Sequence, residues 1–172
     1  MNTITISKAL NVKNKLVNEI NALRDTICTN NSFVVGSNSK AEKTDVVSLL
    51  SEMWAKTNKL IELKAKIQAA NAGKTTSNVE DSPFQAMVVI EESKSLISWL
   101  EQLKTSYTHY PETVRSNRRI VGDKELFDIV SYDSHIHEDE IDKRIKGVQD
   151  NMEKSFDMLT AFNATTRIDF EV

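Results

Sequence analysis

Apolar positions along this chain recur at spacings of three and four, interrupted by short polar segments. Between about Ser7 and Thr29, Leu16, Ile20, Leu23 and Ile27 follow at four, three and four, which places them on one helix face. Val17 and Leu10 widen that stripe, and Ser7 is the expected N-cap. Asn30-Asn31 closes the segment with residues that favour caps and turns. Phe33-Val34-Val35 then reads as a short strand. Gly36-Ser37-Asn38-Ser39 opens a polar loop that reaches about Thr44.

A second helix is predicted from about Asp45 to Ala70, capped by Thr44 or Asp45. Val46, Leu50, Met53, Thr57, Leu60 and Ile67 keep the helical spacing, and Lys64 interrupts it. Leu49, Trp54, Ile61 and Leu63 add a second apolar edge. Such a helix is sandwiched between neighbours or lies at a subunit contact. Asn71-Ala72-Gly73 is its stop signal. The third helix starts near Ser82 with Pro83 in first position, where proline is favoured. It runs to about Thr108, with Phe84, Met87, Val88, Leu96, Ile97, Leu100, Leu103 and Tyr107 as buried candidates, and Pro111 ends it.

Residues 113–132 break the helical rhythm. Arg119-Ile120-Val121 and the run from Phe127 to Tyr132 are strand-like, with Gly122-Asp123 as a turn and Lys124-Glu125 making a longer loop than a two-residue hairpin. The fourth helix runs from about Glu138 to Asn163. Ile141, Ile145, Val148, Met152, Phe156, Leu159 and Phe162 form a line resembling a heptad seam. Gly147 inside it costs roughly 1 kcal/mol against Ala and suggests a close helix contact. Each helix is about 23–27 residues, or roughly 34–40 Å. The expected fold is mainly α: one domain over residues 1–172, a long-helix antiparallel bundle of about four helices with a short strand near 33–35 and a β-hairpin-like element near 113–132.

Composition narrows the class. The chain has 172 residues, a net charge of −3, 40% hydrophobic residues and 27% charged residues. A lone Cys28 excludes an internal disulfide scaffold. The longest strongly apolar run is Met87-Val88-Val89-Ile90, far short of the roughly 18 residues of a membrane span. The acidic balance argues against duplex nucleic acid. Residues 1–10 show no secretory pattern, so the expected location is cytoplasmic.

The order of these pieces, with NNSFVVGSN after the first helix and LTAFNATTRIDF at the end of the last, resembles the septicolysin-like family of small bacterial proteins. Ile67, Asn71 and Ala72 match its Leu-rich second helix, and Asn163, Thr165 and Thr166 match its last helix. The likeness spans about Ser7 to Phe170. Ala164 stands where that family commonly has an aromatic, and the hairpin here is longer and more charged. The family name implies a pore-forming cytolysin. Arg115, Arg118, Arg119, Asp123, Lys124 and Glu125 make the hairpin a poor membrane strand.

Several motifs touch on chemistry. Gly73-Lys74-Thr75 looks like the end of a phosphate loop, but Gln68 stands where that motif needs glycine; a helix cap is the better reading. His135-Ile136-His137, with His109 as a third ligand, suggests a metal. Glu138, Asp139 and Glu140 suit a helix start instead, and that reading is preferred. Cys28 reads as a buried structural thiol. No nucleophile or general base can be assigned, so no enzyme and no cofactor are expected. The densest basic cluster is Arg115-Ser116-Asn117-Arg118-Arg119, downstream of Tyr107, His109 and Tyr110. Guanidinium groups bind phosphates bidentately and aromatic rings stack on bases. The expectation is therefore a non-catalytic homo-oligomeric binding protein. Arg115, Arg118 and Arg119, with Tyr107 and Tyr110, would hold a small anionic or nucleotide-like ligand at a subunit contact. The alternatives are a purely structural or protein-interaction bundle and the membrane-active cytolysin.

Overall fold

Short polar side chains decide where the helices begin. The computed structural model describes residues 4–74, 76, 79–108, 117–121, 124–128 and 132–166. Among them, five helices and four short strands follow in the order α1 (Ile6–Asn30), β1 (Ser32–Val34), α2 (Lys40–Lys43), α3 (Val46–Asn71), α4 (Pro83–Thr108), β2 (Asn117–Val121), β3 (Lys124–Asp128), β4 (Tyr132–Ser134) and α5 (Glu138–Thr165). Thr5 has extended backbone and its Oγ1 accepts the Lys8 N–H at 3.3 Å. Thr5 is therefore the N-cap of α1 rather than Ser7, which already lies in the first turn. Asp45 caps α3 by accepting from Ser48 at 3.0 Å, and Ser82 Oγ accepts the Gln85 N–H at 3.2 Å at the start of α4. Gly73, at φ +66°, ends α3. Its N–H reaches the Ala70 carbonyl at 3.0 Å and the Lys74 N–H reaches Ala69 at 2.9 Å, a glycine stop satisfying two orphan carbonyls.

The polar loop expected up to Thr44 contains a helical turn, α2. Ser39 caps it. Glu42 curls back so that its carboxylate accepts the N–H groups of Gly36 at 2.8 Å and Asn38 at 2.6 Å. Those backbone bonds, that from Gly36 first, hold the Glu42 carboxyl below its usual pKa range. The expected strand Phe33–Val35 is shifted by one residue, and Val35 falls outside it. Its partner is β4, in antiparallel register Ser32↔Ser134, Phe33↔Asp133 and Val34↔Tyr132. The strand expected from Phe127 to Tyr132 is thus two separate strands. β3 pairs with β2 as expected, but Val121 faces Lys124. Two residues separate the strands, so the longer loop expected there is corrected.

Asn31 joins these parts. It is 2% exposed. Its Nδ2 donates to the Ile136 carbonyl at 3.3 Å and its Oδ1 accepts the Ile136 N–H at 2.9 Å. Its own carbonyl accepts the His135 N–H at 2.9 Å. Ile136 is carried by this clasp into the core, where it is buried.

The long helices run antiparallel to their neighbours in sequence. α1 packs mainly on α3, α3 on α4, and α4 on α5. The main core joins Ile20 and Ile27 of α1, Val46, Leu50, Met53 and Leu60 of α3, Leu96, Trp99, Leu100 and Leu103 of α4, and Ile141 and Val148 of α5. Full burial of one such side chain stabilises by about 1.5–3 kcal/mol. A smaller cluster of Ala65, Ala69, Val79 and Val88 closes the other end between α3 and α4.

The predicted stripes need correction at several positions. Leu10 and Met87 are exposed, and the large buried residues of α4 that the spacing missed are Val89, Ile90 and Trp99. On α5 the buried positions are Ile141, Val148 and Ser155, seven apart. A seam of 3.5 residues alternates steps of three and four. The expected line took a second step of four, from Met152 to Phe156. Phe156 is accordingly 44% exposed, with the Lys94 ammonium 5.9 Å from its ring centre. Gly147 makes no close helix contact: a Cβ built there meets nothing within 4 Å.

Two stability outcomes follow. Asn31→Ala strands both backbone groups of Ile136 and should destabilise by roughly 2–4 kcal/mol in urea unfolding. Ile141→Ala should cost roughly 2–5 kcal/mol and Phe156→Ala under about 1 kcal/mol; equal costs would restore the original seam.

Candidate functional site

α4 lies between α3 and α5 in packing order, and the space it floors forms a groove. The part nearer the main core holds about 230 Å³. Its walls are Trp54, Thr57 and Ile61 from α3 and Arg144, Gly147 and Val148 from α5, with Ser93 and Leu96 of α4 between. The second part holds about 360 Å³ and meets the first at Asn58, Ile61 and Asn151. It is more polar, with Gln85, Lys154 and Ser155 along it. Gly147 opens the wall because no side chain projects from α5 there.

Two donors on this lining lack acceptors. Trp54 Nε1 and Arg144 Nε are both buried without a hydrogen-bond partner. The Arg144 Nη2 is occupied by Glu140 at 2.5 Å. An unpaired buried donor costs about 1–3 kcal/mol. The arrangement is an apolar pocket with a few polar groups, the usual form of a small-molecule site.

A charge cluster holds the wall in place. Lys64, the residue that interrupts the α3 stripe, reaches Glu91 at 2.9 Å and Glu92 at 2.5 Å. Burial works to lower the Lys64 pKa, but hydrogen bonds to Glu92 and Glu91 outweigh it and the net shift is upward. Glu92 also lines the groove, so this network ties the α3–α4 spacing to the site.

Those residues singled out from the sequence that the structure describes are not on this lining. Arg118 and Arg119 lie on β2, opposite Phe127 and Leu126 in the hairpin register. Tyr107 lies in the last turn of α4. Arg115 and Tyr110 lie outside the described residues. His135 Nε2 is hydrogen-bonded with the Ala41 carbonyl at 2.8 Å and its ring lies 4.6 Å from Phe33. His137 is the N-cap position of α5. No group of three or more His, Cys, Asp or Glu is placed to hold a metal among the described residues. Cys28 is half-buried against the core; burial pushes its thiol pKa up, and the Trp99 indole acts in the opposite sense. No helix among the described residues is long and apolar enough to cross a membrane.

Spacing alone hid the groove. Trp54 belonged to a second apolar edge, and Gly147 was the one signal, read with the wrong sign. No family model matches this chain, and neither a curated protein nor a solved structure matches it. The septicolysin-like resemblance rests on the quoted residues alone.

The Lys64 network has a pH signature. Its folded pKa is raised, so its contribution is complete below the unfolded pKa and is lost as pH rises through the folded value. Lys64→Met should lower stability at neutral pH by roughly 1–3 kcal/mol and flatten the alkaline decline of the urea midpoint. A parallel decline in both proteins would remove Lys64 as its source.

Proposed function

We propose that this chain is a non-catalytic binding protein that holds a small ligand in the groove between α3, α4 and α5. The ligand has an apolar body and an anionic or acceptor-rich head. The observation that carries this reading is the pair of buried, unpartnered donors, Trp54 Nε1 and Arg144 Nε, on one groove. Ile61, Leu96 and Val148 line the space for the body, and a small turn of the Trp54 and Arg144 side chains would bring their donors to the head. The class of function is the one expected from composition and motifs. The site differs: the groove replaces the Arg115–Arg119 segment as the first place to look. Self-association, expected from the wide apolar stripes, is a separate proposal that the same mass measurement reads.

Gly147→Leu tests the site. A Cβ at this position meets nothing within 4 Å, and replacing a mid-helix glycine should raise stability by roughly 0.5–1 kcal/mol. Native mass spectrometry of the purified protein should show retained small-molecule mass that Gly147→Leu lacks. Added anilinonaphthalene sulfonate, which combines an apolar body with an anionic head, should bind saturably to the wild type and more weakly to the stabilised variant. Ligand uptake that survives Gly147→Leu but disappears in Arg118→Ala plus Arg119→Ala would return the site to the hairpin. Absence of saturable binding in both measurements would favour the protein-interaction bundle.

A further inference from the structure

A second cleft, of about 330 Å³, lies between α1 and α4 and shares no lining residue with the groove. Its central group is Arg24. Burial disfavours the charge of Arg24, yet its hydrogen-bonded partner is only the Ser95 hydroxyl, 3.2 Å from Nη1. The guanidinium carbon lies 5.7 Å from the centre of the Trp99 ring, and Nε is buried with no acceptor. The lysines that bridge helices are treated differently. Lys56 meets Glu19 at 2.6 Å, Lys64 meets Glu91 and Glu92, and Lys104 meets Glu138 at 3.0 Å and Asp142 at 2.8 Å. Among the described residues Arg24 forms no such ion pair; the Glu92 charge favours its charged form without touching it, so the guanidinium edge has no carboxylate bonded to it.

We propose that Arg24, held over the face of Trp99, binds a small carboxylate monoanion in the cleft between α1 and α4. The planar guanidinium fork matches a carboxylate with two parallel hydrogen bonds, and the indole face supports the cation from the other side. Ser98 and Gln102 line the same cleft from α4 and supply further donors. Asp25 also lines it, and the Glu92 charge acts on Arg24 from the α4 side. These two carboxylates repel a phosphate dianion more than a monoanion, which sets the preference.

The test uses the full-length chain labelled with nitrogen-15, with sodium acetate as the probe, exchanged against sodium chloride at constant ionic strength. The Arg24 Nε–Hε signal, assigned by its loss in Arg24→Lys, should move saturably with acetate, and Ser98→Ala should weaken the apparent affinity. Acetate should also raise the melting temperature of the wild type above that in chloride, and Arg24→Lys should abolish the increment. A non-saturating drift equal in both salts would overturn the site. A saturable shift of Arg144 in place of Arg24 would likewise overturn it. Tighter binding of inorganic phosphate than of acetate at neutral pH would overturn the monoanion assignment. Should Arg24→Lys fail to fold, its signal is assigned through the bonded network and the wild-type titration decides. Gly147→Leu leaves this cleft untouched, so failure here and failure of the groove are read separately.

Discussion

The carboxamide of Asn31 is the joint on which the arrangement turns. It gives Ile136 both a donor and an acceptor, while its own carbonyl takes the His135 N–H. Three hydrogen bonds thereby tie the end of α1 to the start of α5. No other side chain does this with the same geometry: aspartate lacks the donor, and an apolar residue leaves two buried backbone groups unpaired. With Ile136 held in the core, the first turn of α5 lies where Lys104 can reach both Glu138 and Asp142. The angle at which α5 leaves the clasp then sets how far it stands from α3.

The groove is a product of packing order. Neighbours in sequence pack together, so α4 contacts both α3 and α5, and those two are held apart across it. Lys64 and its two glutamates secure one wall, and the missing side chain at Gly147 relieves the other. The donors of Trp54 and Arg144 are unpaired in the same region. Unpaired buried donors also occur at Arg24 and Trp99 of the α1–α4 cleft.

Much of the scaffold was legible in the chain. Asp45, Ser82-Pro83 and Gly73 punctuate the helices by local chemistry, and the stripes of α1 and α3 place Ile20, Ile27, Leu50 and Met53 in the core. The errors have physical causes. Thr5 outcompeted Ser7 because capping depends on backbone angle as well as hydroxyl position. Ser155 replaced Phe156 in the α5 seam because supercoiling favours steps of three and four over repeated fours. α2 escaped notice because a single turn carries no periodicity, and β1 was seen without its partner because pairing across a hundred residues leaves no local trace. The groove was least legible. Its unpaired donors are a property of three-dimensional surroundings, which spacing does not carry.

The Asn31–Ile136 bonds span 105 residues, and the β1–β4 pair spans a similar distance. The three antiparallel helix pairs, in contrast, join long helices that are consecutive along the chain. Closing a long loop costs more chain entropy than closing a short one, and the cost falls before any contact rewards it. The kinetic order this implies is helix hairpins first and the clasp last. A nascent chain would then carry α1, α3 and α4 as a partly assembled sheaf whose open side waits for α5. During that interval Trp54 and Leu96 have no α5 wall, and collision with another chain competes with completion of the bundle.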